Sequence, residues 1–174
     1  MSEKKQSWFI LTVVGVLILI GIVAGAAGGS GKNTTNKTEP TIAKIGEVAR
    51  DGKFEFTVTS VECGKPSVGT NQYLTKQAQG QFCLVNVTVK NIANEAQTFG
   101  SSSQYVYDAA NAKFSSDGTA SLYANPEDST FLNQINPGNS VSGILVFDLP
   151  KDKTPITAEL HDSAFSGGVK VSLK

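Results

Sequence analysis

Few side chains in this chain could do chemistry, and most of them lack the spacing that chemistry needs. The single histidine, His161, is followed directly by Asp162 and Ser163. These are the residue types of a hydrolytic triad, but a triad is defined by convergence in space, which adjacent residues on an extended strand do not achieve. No G-x-S-x-G elbow occurs anywhere. His161 is therefore expected to be a strand-end residue bonded to a neighbouring loop, and no catalytic residue is expected. One histidine and two cysteines do not complete a zinc ligand set. Calcium takes about six or more oxygens, several from carboxylates. Asp108, Asn111 and Asp117 bracket one turn region, and Glu127 with Asp128 occupies another, but neither has dense D-x-D spacing. Gly167-Gly168 matches no nucleotide-binding pattern, so neither a metal nor a cofactor is expected.

Cys63 and Cys83 carry a clearer signal. Cys83 shares a strand face with Val85, Val87 and Val89, and Cys63 shares one with Val61. Both sulfurs thus point toward a core from consecutive strands, where an exported protein would close a disulfide. That bridge ties off a segment of about twenty residues and stabilises by about 3 kcal/mol in the chain-entropy picture. The enclosed stretch, GKPSVGTNQYLTKQAQGQF, is expected to be a long surface loop.

The elements around these residues read as strands and turns. Phe54, Phe56 and Val58 alternate with polar residues, and the phase slips by one before Val61, which predicts a β-bulge near Thr59–Ser60. Further strands are expected at Phe82–Lys90, Ser103–Asp108, Lys113–Ser115, Thr119–Tyr123, Ser140–Leu149, Ile156–His161 and Val169–Leu173. Asn136-Pro137-Gly138-Asn139 suits a type II turn. Ser140–Leu149 is apolar on both faces and is expected to be a central strand. Seven or more short strands with regular turns predict an all-β, antiparallel, two-sheet sandwich. Its core would hold Phe54, Phe56, Val58, Val85, Val87, Val89, Leu145, Phe147, Leu160 and Val171.

Ahead of this domain, residues 8–27 form an uncharged apolar run, WFILTVVGVLILIGIVAGAA, preceded by Lys4 and Lys5. About twenty such residues suffice to cross a bilayer, so a transmembrane anchor is expected. Residues 1–7 would lie in the cytoplasm and the domain outside. Residues 28–41 are a polar, Gly/Ser/Thr/Asn-rich tether, and 42–174 the displayed domain. The small-residue pattern ending at Ala26 offers an alternative, a secreted form released by cleavage. From Ile42 onward 11 basic residues face 13 acidic ones, which provides no electrostatic footprint for nucleic acid.

The segments FTVTSVECG, QFCLVNVTVKNIANEAQTF, SSSQYVYDA, INPGNSVSGILVFDLP and AELHDSAFSGGVKVSL together resemble an uncharacterised extracellular domain family of the DUF4352 type. The resemblance runs from Ile45 to Lys174. It implies an immunoglobulin-like sandwich, similar in fold to a small secreted mycobacterial antigen, in a family of Actinobacteria and other Gram-positive bacteria. It implies no activity and supplies no catalytic residue.

The expected function is a membrane-anchored cell-envelope protein that binds an envelope protein or component without catalysis. A carrier or sensor of a small apolar ligand held between the sheets is the second expectation. Tyr73, Tyr105, Tyr107, Tyr123 and Phe131 are the candidate recognition surface, since outward aromatics are enriched where surfaces bind.

Overall fold

Alternation builds the first two long strands, and the computed structural model describes residues 42–71, 73–125 and 131–174. In chain order the elements begin with β1 (Ala43–Lys44), β2 (Val48–Asp51), β3 (Phe54–Asn71), β4 (Leu74–Asn91) and β5 (Gln97–Thr98). A short 3₁₀ turn (Ser101–Ser103) leads to β6 (Tyr105–Tyr107), β7 (Lys113–Ser115) and α1 (Gly118–Ala124). The last four are β8 (Gln134–Ile135), β9 (Ser140–Leu149), β10 (Thr157–Leu160) and β11 (Val169–Ser172).

Two sheets face each other across one core. The first has the order β1-β11-β10-β6-β7, the second β2-β3-β4-β9, and β5-β8 forms a small ribbon. All pairings are antiparallel except β1 with β11, which is parallel and departs from the purely antiparallel expectation. Phe54, Phe56, Val58, Val85, Val87 and Val89 point inward from β3 and β4. They meet Val106, Ala158, Leu160 and Val171 of the opposite sheet. The rings of Phe54, Phe56, Phe99 and Phe131 pack with centroids 5.0–6.1 Å apart. They fill part of the inter-sheet space in which a carried ligand would sit. Among the described residues the core lies within 43–173.

The expected bulge is present, as a register shift between Val58 and Ser60. Cys63 and Cys83 form a disulfide with Cα atoms 4.0 Å apart. The turn at Asn136–Asn139 closes with Asn139 N donating to the Asn136 carbonyl at 3.0 Å, and Gly138 takes the positive φ of 78° that such a turn requires.

Three further expectations fail. The segment between the cysteines is not a loop but the distal half of the β3–β4 hairpin. Thr119–Tyr123 is not a strand but most of helix α1, because Asp117 caps it, its Oδ1 accepting from Ala120 N at 2.9 Å. β9 is not central: it lies at the margin of its sheet, with β4 as its one strand neighbour among the described residues. Its outer face is apolar because α1 and the distal hairpin cover it, burying Val68, Phe82, Ala120 and Val146 in a second small core.

The free edge of β9 is closed by residues 116–125 acting as a surrogate strand. Asp117 N donates to Val146 O (2.8 Å), and Val146 N donates to Ser121 Oγ (2.9 Å). The Asn125 amide donates to Ile144 O and accepts from Ile144 N, both at 2.8 Å. An open edge is a template for association, and this one is satisfied by side chains. The expected anchor at 8–27 and the expected tether at 28–41 lie outside the described residues; among the described residues no helix is long and apolar enough to cross a membrane.

Candidate functional site

Glu159 is the centre of a polar cluster on the outer face of the first sheet. Register places it between Lys170 of β11 and Tyr105 of β6. Its Oε1 accepts from Tyr107 Oη at 3.0 Å and lies 3.1 Å from His161 Nε2. Lys113 Nζ stands 3.6 Å from the same oxygen, and Lys170 Nζ stands 3.8 Å from Oε2. Lys113 also sits 3.5 Å above the Tyr105 ring centroid, a cation–π contact. Burial alone would raise the Glu159 pKa, but hydrogen bonds from His161 and Tyr107 and the Lys113 charge together hold it below the usual carboxylate value. Burial first, then the bond to Glu159, pushes the Tyr107 hydroxyl upward.

His161 lies between an acid and a serine. Its Nδ1 is 3.2 Å from the Ser166 carbonyl and 3.3 Å from Ser166 Oγ. That hydroxyl, however, donates to the Ser163 carbonyl at 3.1 Å, so its proton points away from the imidazole. The ring is buried, edge-on to Tyr105 at 5.5 Å, and Gly168 presses so close that a Cβ there would lie 2.6 Å from it. Nδ1 thus ties the end of β10 to the 163–168 loop, and Nε2 bonds back to Glu159 of β10. Asp162 Oδ2 accepts from Lys53 N at 3.1 Å, and Asp162 N donates to Asp51 Oδ2, so this acid anchors the β2–β3 turn instead.

The acidic loop groups do not converge either. Asp108 Oδ1 accepts from Ala110 N and Ala112 N, in the turn where Asn111 takes a positive φ of 62°. Asp117 caps α1 and pairs with Lys76. Glu127 and Asp128 lie outside the described residues. Among the described residues no group of three or more His, Cys, Asp or Glu is placed to hold a metal ion.

A concave site lies on the opposite side of the sandwich. Between Lys65 and Ser67 the ladder slips: β4 runs from Phe82 to Gln77 while β3 advances by Pro66 alone. The extra residues bend the distal hairpin over the outer face of its own sheet. Asp148 holds the bend by accepting from Gln79 N (2.7 Å) and Gly80 N (3.0 Å). Val68 then sinks against Phe82 and Val146, and Lys76 Nζ meets Asp117 Oδ2 at 2.5 Å. Between this arm and α1 runs an open groove of about 310 Å³. Val68, Leu84, Ile144 and Ala124 give it apolar walls, while Lys65, Ser67, Thr70 and Tyr123 supply polar atoms.

The family model of a domain of unknown function, DUF4352, matches residues 43–171. This chain belongs to the DUF4352 family. The uncharacterized protein YxkC of Bacillus subtilis (strain 168) is 34% identical to it over 145 residues, 79% of this chain and 78% of the relative. Two solved structures share the fold. The yjhA protein from Bacillus subtilis is similar at 18% identity and a TM-score of 0.56, over 76% of this chain and 100% of the other. MPT63, a secreted protein from Mycobacterium tuberculosis, is similar at 13% identity and a TM-score of 0.56, over 78% and 98%. These relatives bring no catalytic assignment to the DUF4352 domain.

The five aromatics singled out in the sequence do not form one patch on this DUF4352 domain. Tyr105 and Tyr107 share the outer face of the first sheet, in the Glu159 cluster. Tyr123 lines the groove, and Tyr73 stands exposed near the hairpin tip. Phe131 is core: it is buried, with its ring centroid 5.0 Å from Phe99. Lys113, Glu159 and Lys170 were missed because cross-strand register, not spacing, brings them together. For the groove a signal existed: Phe82 and Leu84 on β4, and Ile144 and Val146 on β9, are apolar on the face opposite the main core. Apolar residues on both faces of two paired strands imply a covering layer.

Proposed function

We propose that this DUF4352 domain is a non-catalytic binding module, displayed outside the cell by the apolar segment 8–27 and spaced from the membrane by residues 28–41. The observation that carries binding is the bent hairpin, which with α1 builds a groove that the main sandwich core does not need. The Cys63–Cys83 disulfide supports an oxidising compartment, since such bonds persist outside the cytoplasm. The commitment of both His161 nitrogens to structural ties supports the absence of catalysis. The secreted form has support of its own: MPT63 is a secreted protein, and Ala24-Gly25-Ala26 is a small-residue pattern of the kind a signal peptidase cleaves.

The test uses the intact chain in cells, with a photo-crosslinking amino acid in place of Tyr123 in the groove or Tyr107 on the opposite face. Fractionation before illumination should place the chain in the membrane, with added protease removing the domain from whole cells. Chain in the medium would establish the cleaved form, and a protected chain with two free thiols would overturn display. An adduct formed from position 123 supports the groove as the binding face. No adduct from either position overturns the binding reading.

A further inference from the structure

The groove has a chemical asymmetry that selects among occupants. Its floor is aliphatic: Val68 from the arm, Leu84 from β4, Ile144 from β9 and Ala124 from α1. Among the described residues its one charged lining residue is Lys65, and the hydroxyls of Ser67 and Thr70 stand on the same strand. No acid lines it. The ammonium of Lys65 now meets Glu62 at 2.6 Å, but both partners are well exposed. Exposed pairs of this kind hold each other weakly, so a carboxylate resting on the apolar floor can displace Glu62. The volume, about 310 Å³, falls at the small end of ligand pockets, roughly 300–1,000 Å³. The walls come from four separate elements and are held in place by the Lys76–Asp117 pair, the Asp148 bend and the Asn125–Ile144 bonds. Such a site is largely formed before any ligand arrives, which lowers the ordering cost of binding.

We propose that this groove binds a small molecule with an apolar body and a single carboxylate, the body on Val68, Leu84 and Ile144 and the carboxylate at Lys65. The proposal rests on the binding-module reading and names the ligand class for the groove. Ser67 and Thr70 donate to the carboxylate's remaining lone pairs, and the aliphatic floor selects against fully polar anions such as inorganic phosphate.

The test uses three probes with one body and three heads: 3-(4-fluorophenyl)propionate, the matching alcohol and the matching amine. Each is titrated by fluorine NMR against the full chain in lipid nanodiscs, with empty nanodiscs as blank. The expected order is propionate, then alcohol, then amine. Lys65→Met keeps the stem and removes the charge at an exposed position, so the fold is retained. It should weaken the propionate by about tenfold, the loss of one charge-assisted hydrogen bond, and erase its advantage over the alcohol. Ala124→Phe should fill the groove and abolish all three. Equal binding of the three heads, no binding of any, or propionate binding unchanged by Lys65→Met overturns the proposal. A protein crosslinked through position 123 without propionate binding also overturns it, while leaving the binding-module reading in place.

Discussion

Gln104 bonds the 3₁₀ turn to the end of β10, and its replacement by methionine tests how much of the fold rests on buried polar joints. The side chain is fully buried at the start of β6. Its Nε2 donates to Gly100 O at 2.8 Å and to His161 O at 3.0 Å, and its Oε1 accepts from His161 N at 2.8 Å. Methionine keeps the length and most of the volume, so a cavity is not the cause of any loss. Three hydrogen bonds at about 1 kcal/mol each set a floor of about 3 kcal/mol. Leaving His161 N and His161 O without these partners raises the cost, since one orphaned buried group costs about 1–3 kcal/mol, whereas the exposed Gly100 carbonyl still accepts from Ser103 N; repacking and water entry bring the expected loss to about 3–5 kcal/mol. Urea unfolding of residues 42–174, followed by circular dichroism, reads this directly. With m of about 1–3 kcal/mol/M, the midpoint should fall by at least about 1 M. Amide exchange at His161 should accelerate in step, and Gln79→Met, at an exposed side chain, should stay within about 0.5 kcal/mol of the parent. A loss under about 1 kcal/mol, or an unchanged His161 amide, would refute the reasoning that this glutamine bonds the 3₁₀ turn to β10.

Three further expectations follow from the same geometry. Reducing Cys63–Cys83, or replacing both by alanine, removes a crosslink of sequence separation 20 and should cost about 3 kcal/mol; an unmoved urea midpoint counts against it. Glu159 has a depressed folded-state pKa, so its contribution is present above the ordinary carboxylate range and is lost as pH falls through the folded value. Glu159→Gln should therefore lower stability at neutral pH and flatten part of the acid limb of a stability–pH profile, and a mutant profile parallel to the parent's would sink the assignment. Asn125→Ala opens the edge of β9 at Ile144, which should cost about 2 kcal/mol for two lost bonds and produce concentration-dependent association in sedimentation velocity. A monodisperse monomer of parental stability would show the edge to be protected otherwise.

How much was legible in the sequence depended on whether a signal was local. Phe54, Phe56 and Val58 declare a half-buried strand because side chains alternate with a period of two, and the slip before Val61 declares the bulge. Asn136–Asn139 declares its turn because only a few residue types accept its dihedrals. The distal hairpin was hidden because Gly64, Pro66, Gly69 and Gly80 interrupt its pattern. Gly64 and Gly69 are strand residues with φ of 88° and 134°, so glycines that usually mark loops here mark irregular pairing within a ladder. Helix α1 was hidden because Gly118–Ala124 is too short to display a 3.6-residue period, and Thr119 and Tyr123 favour strands. Tyr105 and Tyr107 could be picked as an outward pair from their spacing alone; Phe131 could not be told from them, because it follows a turn-rich stretch without alternation.

The polar residues explain why the remaining contacts were invisible. Gln81 donates to the carbonyls of Pro150, Lys151 and Lys153, and Asn91 bonds Glu95 O, Ile135 O and Ala93 N. Gln104 and Asn125 do the same for the 3₁₀ turn and for β9. Each is an amide side chain bonding backbone groups that no strand pairs, Gln81 as donor and the other three as both donor and acceptor. In the sequence they look like ordinary solvent-facing residues, since Asn and Gln are mostly exposed. Their burial follows from a sandwich whose short strands leave backbone groups unpaired at their ends, where each orphan would carry a desolvation cost. This places a physical condition on the groove as well. Its far wall is held at β9 by Asn125 and at β3–β4 by Lys76, so Asn125→Ala should weaken fluorophenylpropionate binding although Asn125 touches none of the residues proposed to contact the ligand's carboxylate. If stability falls while binding is retained, the groove is shaped by the main sheet alone and α1 is merely an edge cover.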